Sequence, residues 1–589
     1  MVNLNMKAFT KIIDLYKIAA DVVLRPLKAC GTFFLFTLLM CYVIAIVGYF
    51  KGIECDPFLT FLLPISDCYL INLFAYILKK IRLHWIWYIF ISAILFAELF
   101  TLFYYHSKIT VFVLQLIFET TPRESSEFVS SAFSLPLTWH ALGITFITAT
   151  IAFIAQKKAR RRFRLKPLCI FLAFALVVWS GIRQMTAYSK LWRCFMSENL
   201  EELTSANNNP RLNSTFMRFL YGTAFNKSSS ADLAILEKTV QATEVDSCSF
   251  QCPLIVLVIG ESFTKYHSSL YGYHLPTSPR LGKLKDNGQL YICNNAISPY
   301  NLTSHAFKYM FTTWDDGCDD SWLSHTLFPA VFKKAGYSVY FITNQFTVKD
   351  GGFHDAVGGT ILNRPLLSQL QFTHRNQNSY FYDHELLTEI PPIDSLINKP
   401  SLLIFHMNGQ HQEYEEKYTP AYARFTSDDE KTPYGGEAGK QVAAHYDNAT
   451  CYNDYVVDSL FAMFKDTEAI ALYLSDHGEE VYDWRNQYQR TYEANMPPEV
   501  ARYQYEIPFM FYTTESFSNK HPEIIEAIQR AQDLPFISSD LCQILFGLAG
   551  LSHKDYRPQK DLLSKEYDKT RKRIIRDDVE YDKLILKCK

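Results

Sequence analysis

The sequence predicts a helical membrane domain followed by an α/β domain built on a mostly parallel sheet. Three observations carry this expectation. Five long apolar runs fall within the first 190 residues. After Pro253, short and nearly continuous apolar runs alternate with helical segments. Between the two textures the chain is polar, with "NNNP" and "KSSSAD". At 589 residues the chain is too long for one ordinary core, so at least two domains are expected. A net charge of −2 with no dominant basic block speaks against a nucleic-acid partner.

The apolar runs lie at 30–50, 58–78, 84–105, 137–156 and 168–185. A bilayer crossing needs roughly 20 apolar residues, and Trp or Tyr stands toward several ends of the runs, as interfacial anchoring favours. Lys7, Lys11, Lys17, Arg25 and Lys28 precede the first run; "KKIRLH" (79–84) and "KKARRRFRLK" (157–166) follow the second and fourth. With five crossings, these three basic segments share one side, and the positive-inside rule makes that side cytoplasmic. Everything after about Ala187 is then outside, exported by the first crossing without a cleavable signal. The segment 106–136 starts apolar and turns acidic; it reads equally as a helix and loop against the outer membrane face or as a plain connector. The expected organisation is a membrane domain at 1–189, a linker with amphipathic helices at 190–252 and an exported domain at 253–589.

Cys194, Cys248, Cys252, Cys293, Cys318, Cys451, Cys542 and Cys588 would all lie outside. An even number in an oxidising compartment predicts disulfides, with pairing left open. Cys248 and Cys252 make a poor zinc cluster, since no second pair follows at matching spacing.

Five strands are expected: "LIVLVIG" (Leu254–Gly260), "YSVYFIT" (337–343), "SLLIFHM" (401–407), "AIALYLS" (Ala469–Ser475) and "IPFMFYT" (507–513). Their unbroken apolar character is that of strands covered on both faces. Helical stretches between them predict a parallel sheet with helices on both sides, and such sheets bind ligands beyond the carboxyl ends of their strands. There the first strand carries Glu261, the third His406 and His411, and the fourth Asp476 and His477. Thr303 lies where a Pro- and Asn-containing loop enters a helix. Two carboxylates, an imidazole and a hydroxyl form a four-coordinate zinc set. Coordination lowers the pKa of a hydroxyl and makes it a nucleophile at neutral pH, and a helix N-terminus favours an anion beside it. The set suits phosphoryl-type transfer through a phospho-threonine. Each residue has a plainer alternative: Glu261 or Thr303 as a helix cap, the histidines as loop residues, Asp-His-Gly as a turn. Their coincidence on one sheet edge favours a site.

The stretches "VLVIGESFTKYHSSLYGYHLPTSPRL" (256–281), "NLTSHAFKYMF" (301–311), "AAHYDNATCYNDYVVD" (443–458), "LYLSDHGEEVYD" (472–483) and "YEIPFMFY" (505–512) resemble those of the bacterial membrane phosphoethanolamine transferases. That family belongs to the alkaline phosphatase and sulfatase superfamily. The resemblance implies a three-layer sulfatase-like sandwich in the periplasm, anchored in the inner membrane by several passes. It implies zinc held by Glu261, Thr303, Asp476 and His477, with Thr303 as nucleophile. The implied donor is phosphatidylethanolamine, and the implied acceptor a surface glycolipid, either lipid A or a lipopolysaccharide core sugar. His411 aligns with a substrate- or metal-binding histidine of the family; His406, Asn344 and Lys349 are further candidates for substrate contact. Lipid A-modifying members carry another histidine about a dozen residues after the Asp-His pair. Here "DWRNQYQRTYEA" has none, and the wording is closer to the branch that modifies core heptose. One zinc site is therefore expected and a second is not supported. The protein is expected to act as a monomer. The alternatives are a lipoteichoic acid synthase-like glycerophosphate transferase and a catalytically inactive lipid sensor. A sulfatase activity lacks its C/S-x-P-x-R signature.

Overall fold

The computed structural model describes residues 2–51, 64–104, 108–109, 136–158, 167–196, 215–315, 318, 320–345, 361–491 and 496–586. They form two compact units, one mainly of residues up to Ser229 and one mainly of residues from Ser230 on.

The first unit is helical. Its helices are α1 (Val2–Phe50), α2 (Pro64–Lys80), α3 (His84–Tyr104), α4 (Pro136–Lys158) and α5 (Pro167–Met196). Each takes up one of the predicted apolar runs, though 58–63 of the second lie outside the described residues. Among the described residues, Leu24–Phe50, Ile86–Phe103 and Pro136–Ile154 are long and apolar enough to cross a membrane. Phe33, Phe36, Met40, Ile71, Leu95 and Leu99 pack between the helices, while Leu35, Phe146, Ile147 and Ile151 point outward. An apolar exterior is what a lipid environment requires. Two acids are buried within it. Tyr188 Oη donates to Asp67 Oδ1 at 2.6 Å, and Arg218 pairs with Glu98 while its Nε donates to the Ile109 carbonyl at 2.9 Å. Acids at such depth persist only when paired. Most of 106–136 and of the basic segment 157–166 lies outside the described residues. Within the predicted linker, α6 (Thr215–Gln241) is a single helix.

The second unit is built on seven strands: β1 (Leu254–Gly260), β2 (Leu290–Cys293), β3 (Ser338–Thr343), β4 (His374–Arg375), β5 (Ser401–His406), β6 (Ala469–Ser475) and β7 (Phe509–Thr513). Their order across the sheet is β2-β7-β6-β1-β5-β3-β4. The five strands from β6 to β4 are parallel, while β7 runs antiparallel to both β6 and β2. Four of the five predicted strands thus run parallel as expected. β2 and β4 went unpredicted, being only four and two residues long.

Both faces are covered, and β1 shows how. Ile255, Leu257 and Ile259 join Phe307, Phe311, Phe328 and Phe546 in one core cluster. Leu254, Val256 and Val258 join Val456, Val457, Leu460 and Phe461 in the other. The period-2 alternation of a strand thus feeds two cores. Helices α7 (Thr303–Phe311), α8 (Phe328–Ala335) and α10 (Leu541–Ala549) supply the first core, and α9 (Gly436–Met463) supplies the second. This is a three-layer α/β sandwich.

The expected disulfides are not formed by the described thiols. Cys248, Cys252, Cys293, Cys318, Cys451 and Cys542 are all free. Cys252, Cys293 and Cys542 sit in the first core, where burial pushes their thiols up. They serve as small apolar side chains. The side chains of Cys194 and Cys588 lie outside the described residues.

Candidate active site

Register brings the strand ends to one level. Gly260 pairs with Ser475, while Ile259 and Thr343 both pair with His406. Glu261, Asp476 and the loop after His406 therefore leave the sheet along one edge. Thr303 is the first residue of α7, and Leu302 occupies the N-cap without a side-chain bond. Thr303 is not the cap; its hydroxyl donates to Glu261 Oε2 at 3.0 Å and lies 3.4 Å from His477 Nε2.

Glu261, Asp476 and His477 are buried, and each offers one ligand atom within 4.8 Å of the others. Asp476 Oδ1 accepts backbone N–H bonds from Ser262 at 3.0 Å and His477 at 2.7 Å. Its Oδ2 has no hydrogen-bond donor and lies 3.1 Å from His477 Nε2. His477 Nδ1 is 2.9 Å from the Gly478 carbonyl. A carbonyl only accepts, so Nδ1 carries the proton and Nε2 is the accepting nitrogen, facing the centre and Arg490 Nη1 at 2.8 Å. Burial, then the Arg490 charge, pushes the His477 pKa down, keeping the ring neutral. Burial and the charge of Glu261 push the Asp476 carboxyl well above the usual range. Two buried carboxylates facing one another call for a cation. The orphaned Asp476 oxygen, the neutral Nε2 and the hydroxyl together fit a divalent metal with nitrogen and oxygen ligands.

Several supporting residues carried no signal in the sequence. Gln345 Nε2 donates to Glu261 Oε2 at 3.1 Å and to the Met407 carbonyl at 3.0 Å. Ser262 holds a left-handed backbone, φ 55°, and its Oγ donates to Glu261 Oε1 at 2.8 Å. Backbone strain of this kind gathers at functional sites. Arg490 places Nη1 2.8 Å from His477 Nε2 and Nε 3.5 Å from Glu479 Oε2. Glu479 in turn accepts from Tyr414 Oη at 2.9 Å. Nothing in "YQRTYEA" marks Arg490 as part of a site.

The predicted substrate residues separate. His411 lies at the edge of the site, where burial pushes its pKa down to about 3 against the opposing pull of Glu261. His406 is fully buried, 3.0 Å from Thr343 Oγ1 and packed on the Phe307 ring. Asn344 is also enclosed. It donates to Asp383 Oδ1 at 2.8 Å and accepts from the Tyr380 N–H at 2.6 Å, so its amide is spent on the fold. Lys349 lies outside the described residues.

The chain is similar to several known proteins. Phosphoethanolamine transferase EptC of Escherichia coli (strain K12) is 28% identical over 477 residues, 79% of each chain. Phosphoethanolamine transferase CptA of Salmonella typhimurium is 26% identical over 481 residues, again 79% of each. The crystal structure of the C-terminal periplasmic domain of EcEptC from Escherichia coli in complex with Zn matches at a TM-score of 0.50 and 28% identity. It covers 58% of this chain and 96% of that one. The integral membrane protein lipooligosaccharide phosphoethanolamine transferase A from Neisseria meningitidis matches at a TM-score of 0.59. At 18% identity over 90% of this chain and 98% of that one, it shows the fold. A family model described as Sulfatase matches residues 253–551, half of the chain. This chain belongs to the sulfatase family.

Proposed function

We propose that this chain is a phosphoethanolamine transferase of the bacterial inner membrane, with Thr303 as its nucleophile. One observation carries the reading: a threonine hydroxyl at a helix start lies within hydrogen-bond reach of Glu261 and His477, at the carboxyl ends of parallel strands. The names of the relatives at 26–28% identity support the donor headgroup. The donor is phosphatidylethanolamine, and the acceptor is a surface glycolipid, a lipopolysaccharide core sugar or lipid A.

The transfer has two steps. Thr303 Oγ attacks the donor phosphorus, the bond from phosphorus to the glycerol oxygen breaks, and diacylglycerol leaves with the proton. An acceptor oxygen then attacks the phosphothreonine, and Thr303 recovers its hydroxyl. Glu261 orients the Thr303 Oγ and accepts from it. The N-terminus of α7 supports negative charge at its first residue. Glu261, Thr303, Asp476 and His477 would hold zinc. When bound, the ion lowers the hydroxyl pKa and stabilises charge on the phosphate oxygens. His411 would meet the substrate. One zinc site, a single working protomer, five crossings and a cytoplasmic N-terminus complete the reading.

Thr303→Ala should abolish transfer while the protein still folds and inserts. Mass spectrometry of surface glycolipids, with and without the active gene, should differ by one phosphoethanolamine unit. Full transfer by the alanine variant would remove the nucleophile assignment.

A further inference from the structure

The pocket around Thr303 contains a fixed positive charge that the reaction described so far does not use. Arg490 Nη1 lies 2.8 Å from His477 Nε2, and Thr303 Oγ1 lies 3.4 Å from the same nitrogen. The guanidinium and the nucleophile therefore flank a single ring edge. Glu261, Asp476 and His477 are fully buried, while Thr303 and Arg490 keep partial exposure. An incoming ligand meets those two groups before it meets the carboxylates behind them.

Charge balance points the same way. Glu261, Asp476 and Glu479 are three buried carboxylic groups in contact with this centre or with Arg490. A divalent cation alone would leave the ionised set negative, and a phosphodiester would be repelled. Adding the guanidinium brings the set to neutrality. Arg490 is also held in place. Glu479 lies 3.5 Å from its Nε and is itself fixed by Tyr414 Oη at 2.9 Å. With Nε paired to Glu479 and Nη1 turned to His477, the planar guanidinium presents Nη2 to a phosphate oxygen.

We infer that Arg490 is a phosphate-binding residue, gripping a non-bridging oxygen of the phosphoryl group as it reaches and then occupies Thr303 Oγ. The ligand class is a tetrahedral phosphate ester bearing negative charge. The inference rests on the transferase reading for the identity of the ester, but not for the presence of an anion site.

The test uses the full-length protein in detergent, loaded with zinc, with free phosphoethanolamine as the probe. Thr303 is kept, as one of the zinc ligands; the probe carries no diacylglycerol to displace, so no transfer intrudes. Zinc content and probe affinity are measured with Arg490 intact, as Arg490→Lys and as Arg490→Gln. The expected result is unchanged zinc content, at least ten-fold weaker probe binding for Gln, and partial recovery for Lys. In transfer assays, Arg490→Gln should lower kcat/KM at least ten-fold with the same Lys rescue. Equal probe affinity in the Gln variant with full zinc would overturn the inference. Loss of zinc in both variants would also overturn it, since Arg490 would then shape the metal site. Should Arg490→Gln fail to fold, the Lys variant decides: intact zinc with weakened probe binding supports the role, and unchanged binding overturns it. Glycolipids that gain no phosphoethanolamine would defeat the transferase reading while leaving the probe measurement intact.

Discussion

Gly409 shows how tightly the site is set at the level of single residues. Its φ is +49°, and an added Cβ would lie 2.8 Å from both the backbone N and the O of Glu261. Asp383 fixes this loop from beneath, accepting from the N–H groups of Asn408 at 2.9 Å and Gly409 at 2.8 Å. Gly409→Ala therefore combines a strained backbone with a collision against an atom pair that cannot yield. The expected cost is about 1–3 kcal/mol, together with displacement of the Glu261 carboxylate. Denaturant titration and zinc content, measured on one sample, check it; an alanine variant with full stability and full metal would show that the loop relaxes freely. Gly478 is constrained by sterics alone, with Tyr503 O 2.2 Å from where a Cβ would stand.

The elements around the site are tied by an ionic network. His267, in the loop after β1, lies with Nδ1 2.5 Å from Asp447 on α9 and Nε2 3.1 Å from Asp483 in the loop after β6. Tyr273 Oη donates to the second oxygen of Asp447 at 2.7 Å. Burial alone would lower the His267 pKa, but the two aspartates outweigh it and hold the value well above 6.5. The sign follows from linkage. A raised folded pKa means that the stabilisation is complete below about pH 6.5, the ordinary histidine value, and fades as pH rises through the folded value. Glu430, facing Asp447, is also pushed up by burial and by that charge, so it works in the same direction. Thermal unfolding should therefore move to lower temperature as pH rises into the alkaline range. His267→Gln should flatten that slope and cost about 3–5 kcal/mol, since the buried Asp447 and the half-buried Asp483 lose their partner. A wild-type protein whose stability is level across that range would contradict the charged form.

This network also explains what the sequence could and could not reveal. The motif "YHSSLYGY" stood out in the resemblance, yet His267 and Tyr273 do structural work rather than chemistry. The strand ends were legible because unbroken apolar runs mark buried strands and parallel order sends their tips to one edge. β2 and β4 were not, because two to four residues carry no periodicity. Arg490 and Gln345 sit in polar loops, and only tertiary packing brings them to His477 and Glu261. For the described thiols the cysteine reading failed for a related reason. Counting thiols in an exported domain says nothing about whether each is buried in a core, as Cys252 and Cys293 are.

For the whole molecule, the direction in which the helices cross the membrane follows from where the basic clusters lie. Three described helices have the length and hydropathy to cross, and basic clusters lie at 7–28, 79–82 and 157–166. A potential and an anionic leaflet retain such clusters on the cytoplasmic side. Five crossings satisfy that placement and put the catalytic domain outside; four would leave it in the cytoplasm, facing no surface glycolipid. The two readings differ at one point of the chain. A reporter active only outside the cytoplasm, fused after Lys190, should be active, and the same reporter fused within 157–166 should be silent. Removing the charges of "KKARRRFRLK" should reduce the first signal, because the orientation of the last crossing then loses its anchor. An inactive fusion after Lys190, with the protein present in the membrane, would place the Thr303 site on the wrong side of the bilayer for its proposed acceptor.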